Sequence, residues 1–175
     1  MKKAIVYLAF LTLIQGTSLL AFENPAHEPY VGSEAFEKLK TLAGTWKGTS
    51  VMKEETKEAT VHYKVTSAGS AVVETLFPGT PEEMVSVYSE QKGEMVMTHY
   101  CGFKNQPTLK LKDPQGTKEL SFDFIPSGGI NPGTDSHMHS LVILIESDNA
   151  IQHEWTMYLD GQPAGSTVIR LNRTD

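Results

Sequence analysis

Short segments of alternating apolar and polar residues occupy nearly the whole chain after Thr45. Because successive side chains of a strand point to opposite faces, this period of two predicts strands that each bury one face. Turn-forming pairs such as Pro78-Gly79, Lys92-Gly93 and Asp160-Gly161 separate the segments. The predicted strands lie at 44–52, 59–67, 70–77, 84–90, 94–102, 107–112, 118–125, 137–146, 151–159 and 165–173.

A meander of about ten short strands closes on itself to remove its exposed edges. We therefore predict an all-β fold, an antiparallel up-and-down barrel, with a two-sheet sandwich as the alternative. One short helix precedes it, because Ser33 is a typical N-cap and Phe36, Leu39 and Leu42 recur at helical spacing before Gly44.

The N-terminus has the order of a secretory signal peptide. Lys2 and Lys3 precede an apolar stretch over 4–14, and small residues lead up to Ala21. We expect a signal peptide at 1–21, an extended arm at 22–32 and a single barrel domain at 33–175. This predicts a periplasmic or secreted protein. The apolar stretch is too short to span a bilayer, so we expect no transmembrane segment in the mature chain.

Charge and motif content exclude several classes of function. The net charge of −6 argues against nucleic acid as a partner. Cys101 is the single cysteine, which rules out a disulfide within the chain. The sequence has no Gly-x-Ser-x-Gly nucleophile elbow and no phosphate-binding glycine loop. We expect a binding protein rather than an enzyme.

Two pairs of residues could bind a metal. His99 and Cys101 share one strand face, as do His137 and His139, and both faces are otherwise apolar. Both pairs are therefore predicted to point inward. Imidazole and thiolate are good ligands for a transition metal such as zinc, copper or iron. The alternative is that these side chains are inert, hydrogen-bonded members of the core.

The remaining candidates would bind an organic ligand. His153 and Trp155 lie on the apolar face of their strand, which we place inside; the inverse arrangement would put Glu154 and Tyr158 inside. Further candidates flank a turn at one end of the barrel, where Asn and Gln can bind a polar head group or cap the turn. The full set is Trp46, Tyr100, Asn105, Gln106, His153, Trp155 and Arg170. The glycine-rich loop at 126–136 is a candidate lid.

The segment from Phe36 to Gly48, with Gly44-Thr45-Trp46, resembles the start of calycin-type barrels such as the lipocalins. That resemblance implies that Trp46 closes the floor of the barrel and packs under an arginine of the last strand. Arg170 and Arg173 are the two choices, and we favour Arg170. The Gly44-x-Trp46-x-Gly48 spacing also resembles nitrobindin, a haem barrel. Haem is disfavoured, because nitrobindin holds iron through a histidine near the C-terminus and no histidine follows His153.

Four further stretches resemble an exported bacterial, lipocalin-like family of unknown function: Thr98–Cys101, Asn105–Pro107, His137–His139 and Gln152–Trp155. This resemblance implies a fold and no activity. The sequence thus predicts an exported barrel for a small apolar or amphipathic molecule. The alternatives are a barrel that binds a metal or haem through the His/Cys residues, with or without enzymatic activity, and a solid structural or interaction barrel.

Overall fold

The computed structural model describes residues 28–112 and 118–174. The predicted signal peptide at 1–21 and the first part of the predicted arm lie outside these residues. The described chain is all-β apart from one short helix and one 3-10 turn, as predicted.

Ten strands follow the helix α1 (Glu34–Lys40). They are β1 (Gly44–Met52), β2 (Glu55–Thr66), β3 (Ala71–Leu76), β4 (Met84–Gln91), β5 (Glu94–Tyr100), β6 (Thr108–Leu111), β7 (Glu119–Ile125), β8 (His137–Ser147), β9 (Ala150–Leu159) and β10 (Gln162–Arg173).

The strands form a closed antiparallel barrel. Each strand pairs with its neighbours in sequence, and β1 pairs with β10 to complete the ring. The closing register places Trp46 opposite Arg173 and Gly48 opposite Leu171. Closure leaves none of the ten described strands with a free edge, so the sandwich alternative is wrong.

Helix α1 closes one end of the barrel. The Ser33 side chain accepts a hydrogen bond from the Phe36 backbone N–H, as expected of an N-cap. Phe36 and Leu39 are fully buried in the same core as Trp46. The helix stops at Lys40, earlier than predicted, because Thr41 forms the C-cap and the chain then turns into β1.

The opposite end of the barrel carries the longer connections, which include residues 77–83, 101–107 and 126–136. The β1–β2 and β9–β10 turns lie at this same end. Alternation along the strands points apolar side chains inward, but the interior also contains several buried polar side chains. These are Ser50, Glu74, Ser86, His99 and His153.

Candidate functional site

Two adjoining hollows open at the end of the barrel that faces away from α1. The inner chamber has a volume of about 160 Å³ and the outer vestibule about 770 Å³. Both are lined in part by Met52, Met138, Trp155 and Thr167. The chamber lining is mainly apolar; its other members are Ser50, Lys57, Leu76, Phe77, Met84, His99 and Ile169.

His99 provides the imidazole of the inner chamber. It lies on β5 with 2% of its surface exposed, and its Nδ1 is 3.0 Å from the Ser86 hydroxyl oxygen on β4. Its ring packs against Trp155, with the ring centroids 4.7 Å apart. Burial lowers the pKa of His99 to about 4, so the imidazole is uncharged at neutral pH. Its Nε2 has no hydrogen-bond partner within residues 28–112 and 118–174.

Trp155 also lines the chamber, but its indole nitrogen is not accessible to solvent and has no hydrogen-bond partner among the described residues. At the rim, Lys57 forms an ion pair with Glu82 and lies 4.6 Å from the centroid of the Phe77 ring. The lining therefore combines a large apolar area with a neutral imidazole, which suits an uncharged guest.

A cluster of buried polar groups fills the interior beyond the chamber lining. Tyr63 and Tyr88 donate to the two carboxylate oxygens of Glu74, over 3.1 Å and 2.7 Å. The Tyr63 oxygen also lies 2.9 Å from His153 Nε2, and His153 Nδ1 lies 3.4 Å from Glu74 Oε1. All four side chains are at most 1% exposed. The cluster thus holds a carboxylate inside the barrel.

Burial determines the titration behaviour of this cluster. It raises the pKa of both tyrosines well above the usual value, and the nearby Glu74 raises them further. Burial also lowers the pKa of His153, against the opposing effect of Glu74. The two phenols therefore stay protonated and remain donors to the carboxylate.

Glu74, Tyr63 and Tyr88 were not predicted as site residues from the sequence. A signal was present, because Glu74 lies on β3 between Val72 and Leu76, which share its face. A carboxylate on an inward apolar face indicates a buried polar partner. The partners themselves lie on other strands, and a single sequence does not give the register that brings them together.

The predicted placement of β9 is confirmed. His153 and Trp155 are buried in the interior, whereas Glu154 is exposed. The inverse arrangement, with Glu154 inside, is wrong.

His137 and His139 lie beside the hollows rather than among the residues that line them. A β-bulge between Met138 and Ser140 interrupts the alternation, and Met138 takes the position on the hollow. His137 Nε2 is 3.0 Å from His139 Nδ1, and His137 Nδ1 donates to the Asp135 carbonyl oxygen over 2.8 Å. The His139 ring stacks on the Tyr158 ring, with the ring centroids 3.7 Å apart.

Cys101 follows the end of β5 and is half-buried, and burial raises the pKa of its thiol. It is not among the described residues that line the hollows. The described residues also contain no group of three or more His, Cys, Asp or Glu side chains that could hold a metal ion. The structure therefore does not bring Cys101 together with the His137–His139 pair.

The predicted ligand-binding residues near the 101–107 turn differ in burial. Asn105 donates to the Ser136 carbonyl oxygen over 2.7 Å, which ties this turn to the loop at 126–136. Tyr100 and Gln106 are exposed. No described residue of the 126–136 loop lines either hollow.

At the closed end, Arg173 takes the position that we assigned to Arg170. The Arg173 guanidinium lies 4.3 Å from the centroid of the Trp46 ring and donates to the carbonyl oxygens of Thr41 and Ala43. Arg170 is exposed on the outer face of β10, because inward positions of this strand are odd-numbered, as in Ile169 and Leu171. The preference for Arg170 under Trp46 was wrong.

The fold and the hollow define a closed ten-strand β-barrel with one covered and one open end. No protein-family model matches the chain, and a search of curated proteins finds no match either. Among the described residues, no helix is long and apolar enough to cross a membrane.

Solved structures share the fold. The chain is similar to Rv2717c from M. tuberculosis, with 14% identity, a TM-score of 0.56, and coverage of 83% of this chain and 100% of that one. It is also similar to a DUF3598-family protein of unknown function from Nostoc punctiforme, with 11% identity and a TM-score of 0.52. That match covers 78% of this chain and 49% of the Nostoc protein, so the chain spans about half its length. These likenesses concern the fold alone, and a closed ten-strand barrel fits the lipocalin-like expectation.

Proposed function

We propose that this protein is a small-ligand-binding barrel that admits an apolar or amphipathic molecule through its open end. The observation that carries the proposal is the inner chamber, which is lined mainly by apolar side chains together with His99 and Trp155. Burying the apolar surface of a guest there would contribute about 25 cal/mol per Å², against the entropic cost of binding.

The size of the chamber limits the guest. An apolar cavity of roughly 150 Å³ can hold a molecule the size of benzene. The inner chamber, at about 160 Å³, therefore suits a single ring or a short branched chain. The vestibule can accommodate the remainder of a longer molecule, so an amphipathic guest would place its smaller end inside.

Fluorobenzene is a suitable probe, detected by ¹⁹F NMR. We expect the wild-type protein to bind it in slow or intermediate exchange. Thr167→Trp places a large side chain in the hollow and should reduce the affinity at least tenfold, since Thr167 lines both hollows. Thr49→Trp adds the same side chain at an exposed position of β1 and should leave binding unchanged. Equal binding by both variants, or none by the wild type, would overturn the proposal.

We also propose that the protein acts outside the cytoplasm, on the basis of the leader at 1–21. N-terminal sequencing of the protein from a periplasmic or culture-medium fraction tests this. A mature N-terminus near Phe22 supports export, and an uncleaved chain that stays in the cytoplasm contradicts it.

A further inference from the structure

Methionine side chains are concentrated at the open end of the barrel. Three of them line the inner chamber and a fourth lines the vestibule; in order these are Met52, Met84, Met138 and Met157. Two others, Met95 and Met97, are buried in the hydrophobic core. A thioether fills irregular apolar space, and it is also a soft ligand for metal ions. The chamber therefore brings three such groups together with the imidazole of His99.

The strand register places Met84 beside His99 on one wall of the chamber. Ser86 of β4 lies opposite His99 of β5, and Met84 precedes Ser86 by two residues on the same inward face. Met84 is thus a diagonal neighbour of His99. Long side chains interact across that separation.

Met52 and Met138 reach the chamber from the opposite wall. Met52 of β1 lies opposite Thr167 of β10, and Thr167 lies opposite Trp155 of β9. Met138 belongs to β8, the strand on the other side of β9. The Trp155 ring packs on the His99 ring, with the centroids 4.7 Å apart, so the two walls are in contact here. The two methionines therefore flank the point at which the opposite wall meets His99.

Nε2 of His99 is open to the chamber. Three buried side-chain atoms of the described residues lack both a partner and access to solvent, namely Asn105 Oδ1, His153 Nδ1 and Trp155 Nε1. His99 Nε2 also lacks a partner but is not one of these closed-off atoms. The Ser86 hydroxyl can donate to Nδ1 or accept from it, so this contact is kept when Nε2 presents a lone pair.

The chamber lining does not suit a hard cation. Its described residues include no carboxylate and no thiolate, and the charged one, Lys57, is paired with Glu82. The described chain also has no group of three His, Cys, Asp or Glu side chains, so methionine is the residue that completes a ligand set here. Thioethers select Cu(I), and imidazole is a second ligand type that copper accepts.

The surroundings of the chamber favour a single positive charge. The vestibule that leads to it is lined by Glu54 and Glu55 against one lysine, Lys53, and the whole chain has a net charge of −6. A surplus of negative charge at an entrance raises the local concentration of cations. Inside, the aromatic ring of Trp155 can stabilise a cation through its π-electrons.

We propose that the inner chamber binds a soft monovalent metal ion, Cu(I), through the thioethers of Met52, Met84 and Met138 and Nε2 of His99. This inference goes beyond the proposed organic guest and does not depend on it. The two ligands would occupy the same space in turn. The ion enters and leaves as Cu(I), so no electron transfer is involved.

The first test is a competition titration under anaerobic conditions, with bicinchoninate as the coloured Cu(I) chelator. The wild type should withdraw one Cu(I) per chain. Loss of even an outer partner of a metal ligand costs metal affinity tenfold or more, so Met84→Leu and Met138→Leu should each weaken binding at least tenfold. Leucine keeps the apolar volume of methionine, so both variants should fold.

Met95→Leu is the matched control for the competition titration. It makes the same substitution in the core, away from both hollows, and should leave the Cu(I) affinity unchanged. Failure of the wild type to withdraw Cu(I) would overturn the inference. Equal affinity in the wild type, Met84→Leu and Met138→Leu would also overturn it, because the ion would then be held elsewhere.

The second test needs no variant of altered stability. Ag(I) has the charge and softness of Cu(I) and is stable in air. In the wild type labelled with ¹³C at the methionine methyl groups, one equivalent of Ag(I) should shift the signals of Met52, Met84 and Met138. The signals of Met95 and Met97 should stay in place. Unchanged signals from the three chamber methionines would contradict the proposed ligand set.

The outcomes separate this inference from the proposed container function. A wild type that binds fluorobenzene but no Cu(I) leaves the container standing and removes the metal site. Cu(I) binding without fluorobenzene binding does the reverse. If both bind, Ag(I) should displace fluorobenzene in the ¹⁹F spectrum, because both need the inner chamber. Simultaneous binding at full affinity would place the metal outside the chamber and overturn the inference.

Discussion

Glu74 is the residue whose removal should most disturb the interior. Its carboxylate accepts from Tyr63 and Tyr88, and all three side chains are buried. Glu74→Leu removes the acceptor of both phenol hydroxyls, and only Tyr63 has another polar atom in reach, His153 Nε2 at 2.9 Å. A buried hydroxyl left without its acceptor costs about 1–3 kcal/mol. We expect the free energy of unfolding, measured by urea denaturation, to fall by about 3 kcal/mol.

Glu74→Gln separates shape from charge in the same cluster. It keeps one acceptor oxygen and the side-chain volume, so about 1–2 kcal/mol of destabilisation is expected. Glu58→Gln, at an exposed position of β2, should stay within about 0.5 kcal/mol of the wild type. Equal stability of Glu74→Leu and the wild type would mean that the cluster does not support the fold.

His99 should make the protein less stable in acid. Burial lowers its pKa from 6.5 to about 4, so between these values the unfolded chain binds a proton that the folded protein does not. The contribution of His99 to the free energy of unfolding is complete above pH 6.5 and is lost as the pH falls toward 4. At 1.36 kcal/mol per pKa unit, the loss is roughly 3 kcal/mol.

Urea denaturation at pH 4.5 and pH 7 measures this effect. Other histidines of lowered pKa, His139 and His153, act in the same direction, so the comparison must be between variants. His99→Gln should reduce the difference between the two pH values, and His62→Gln should not. A pH dependence that His99→Gln leaves unchanged would contradict the burial of an uncharged imidazole.

Sequence patterns identified individual inward residues better than the contacts among them. His99, His153 and Trp155 were placed inside by strand alternation alone, and they are buried there. Glu74 could have been found by the same argument. The Ser86–His99 contact could not, because it depends on the register between β4 and β5, which a single sequence does not contain.

At the scale of elements, alternation and turn residues located all ten strands, because each buries one face and ends at a turn former. The prediction of strand ends was less accurate where a strand leaves the core. β2 begins at Glu55 rather than 59, in a stretch of exposed residues that has no apolar alternation to read. The bulge in β8 moved Met138 onto the hollow, and nothing in the local pattern marks that extra residue.

Arg173 joins three elements at the closed end. Its guanidinium lies over Trp46 of β1 and donates to Thr41 and Ala43, which link α1 to β1. Arg173→Ala removes the cation–π contact and three hydrogen bonds, to the carbonyl oxygens of Thr41, Ala43 and Asp148, so a loss of about 1–3 kcal/mol is expected. Lysine lacks the planar fork, and Arg173→Lys should recover less than half of that loss.

Arg170→Ala is the matched control for this prediction, since Arg170 lies three residues away on the outer face. It should change the free energy of unfolding by less than about 0.5 kcal/mol. Thermal and urea denaturation give the comparison. If Arg170→Ala proves the more destabilising of the two, the closure of this end has been assigned to the wrong arginine.

At the scale of the whole molecule, the two ends of the barrel differ, because one is covered and the other is hollow. Helix α1, Trp46 and Arg173 fill and cover one end, and the Glu74 cluster occupies the interior between that end and the chamber. The hollow is left at the other end, where the β1–β2 and β9–β10 turns meet. A polar but fully buried layer of side chains therefore separates the covered end of the barrel from the open one.

Closure of the barrel depends on a close approach of its first and last strands at Gly48. A Cβ atom added there would lie 1.9 Å from the Arg170 carbonyl oxygen and 3.1 Å from Leu171 Cα, both backbone atoms of β10. Gly48→Ala must therefore push β1 and β10 apart. We expect a loss of at least 3 kcal/mol in urea denaturation, or a failure to fold, because the change disrupts the pairing that completes the ring.

Gly165→Ala tests the same kind of change on β10 without the clash, since its added Cβ would meet only the end of the Met157 side chain, at 3.7 Å. It should fold with nearly wild-type stability. Parted strands in Gly48→Ala would expose two edges and favour association, so gel filtration should show oligomers for that variant alone. A monomeric Gly48→Ala of wild-type stability would contradict the tight closure at this position.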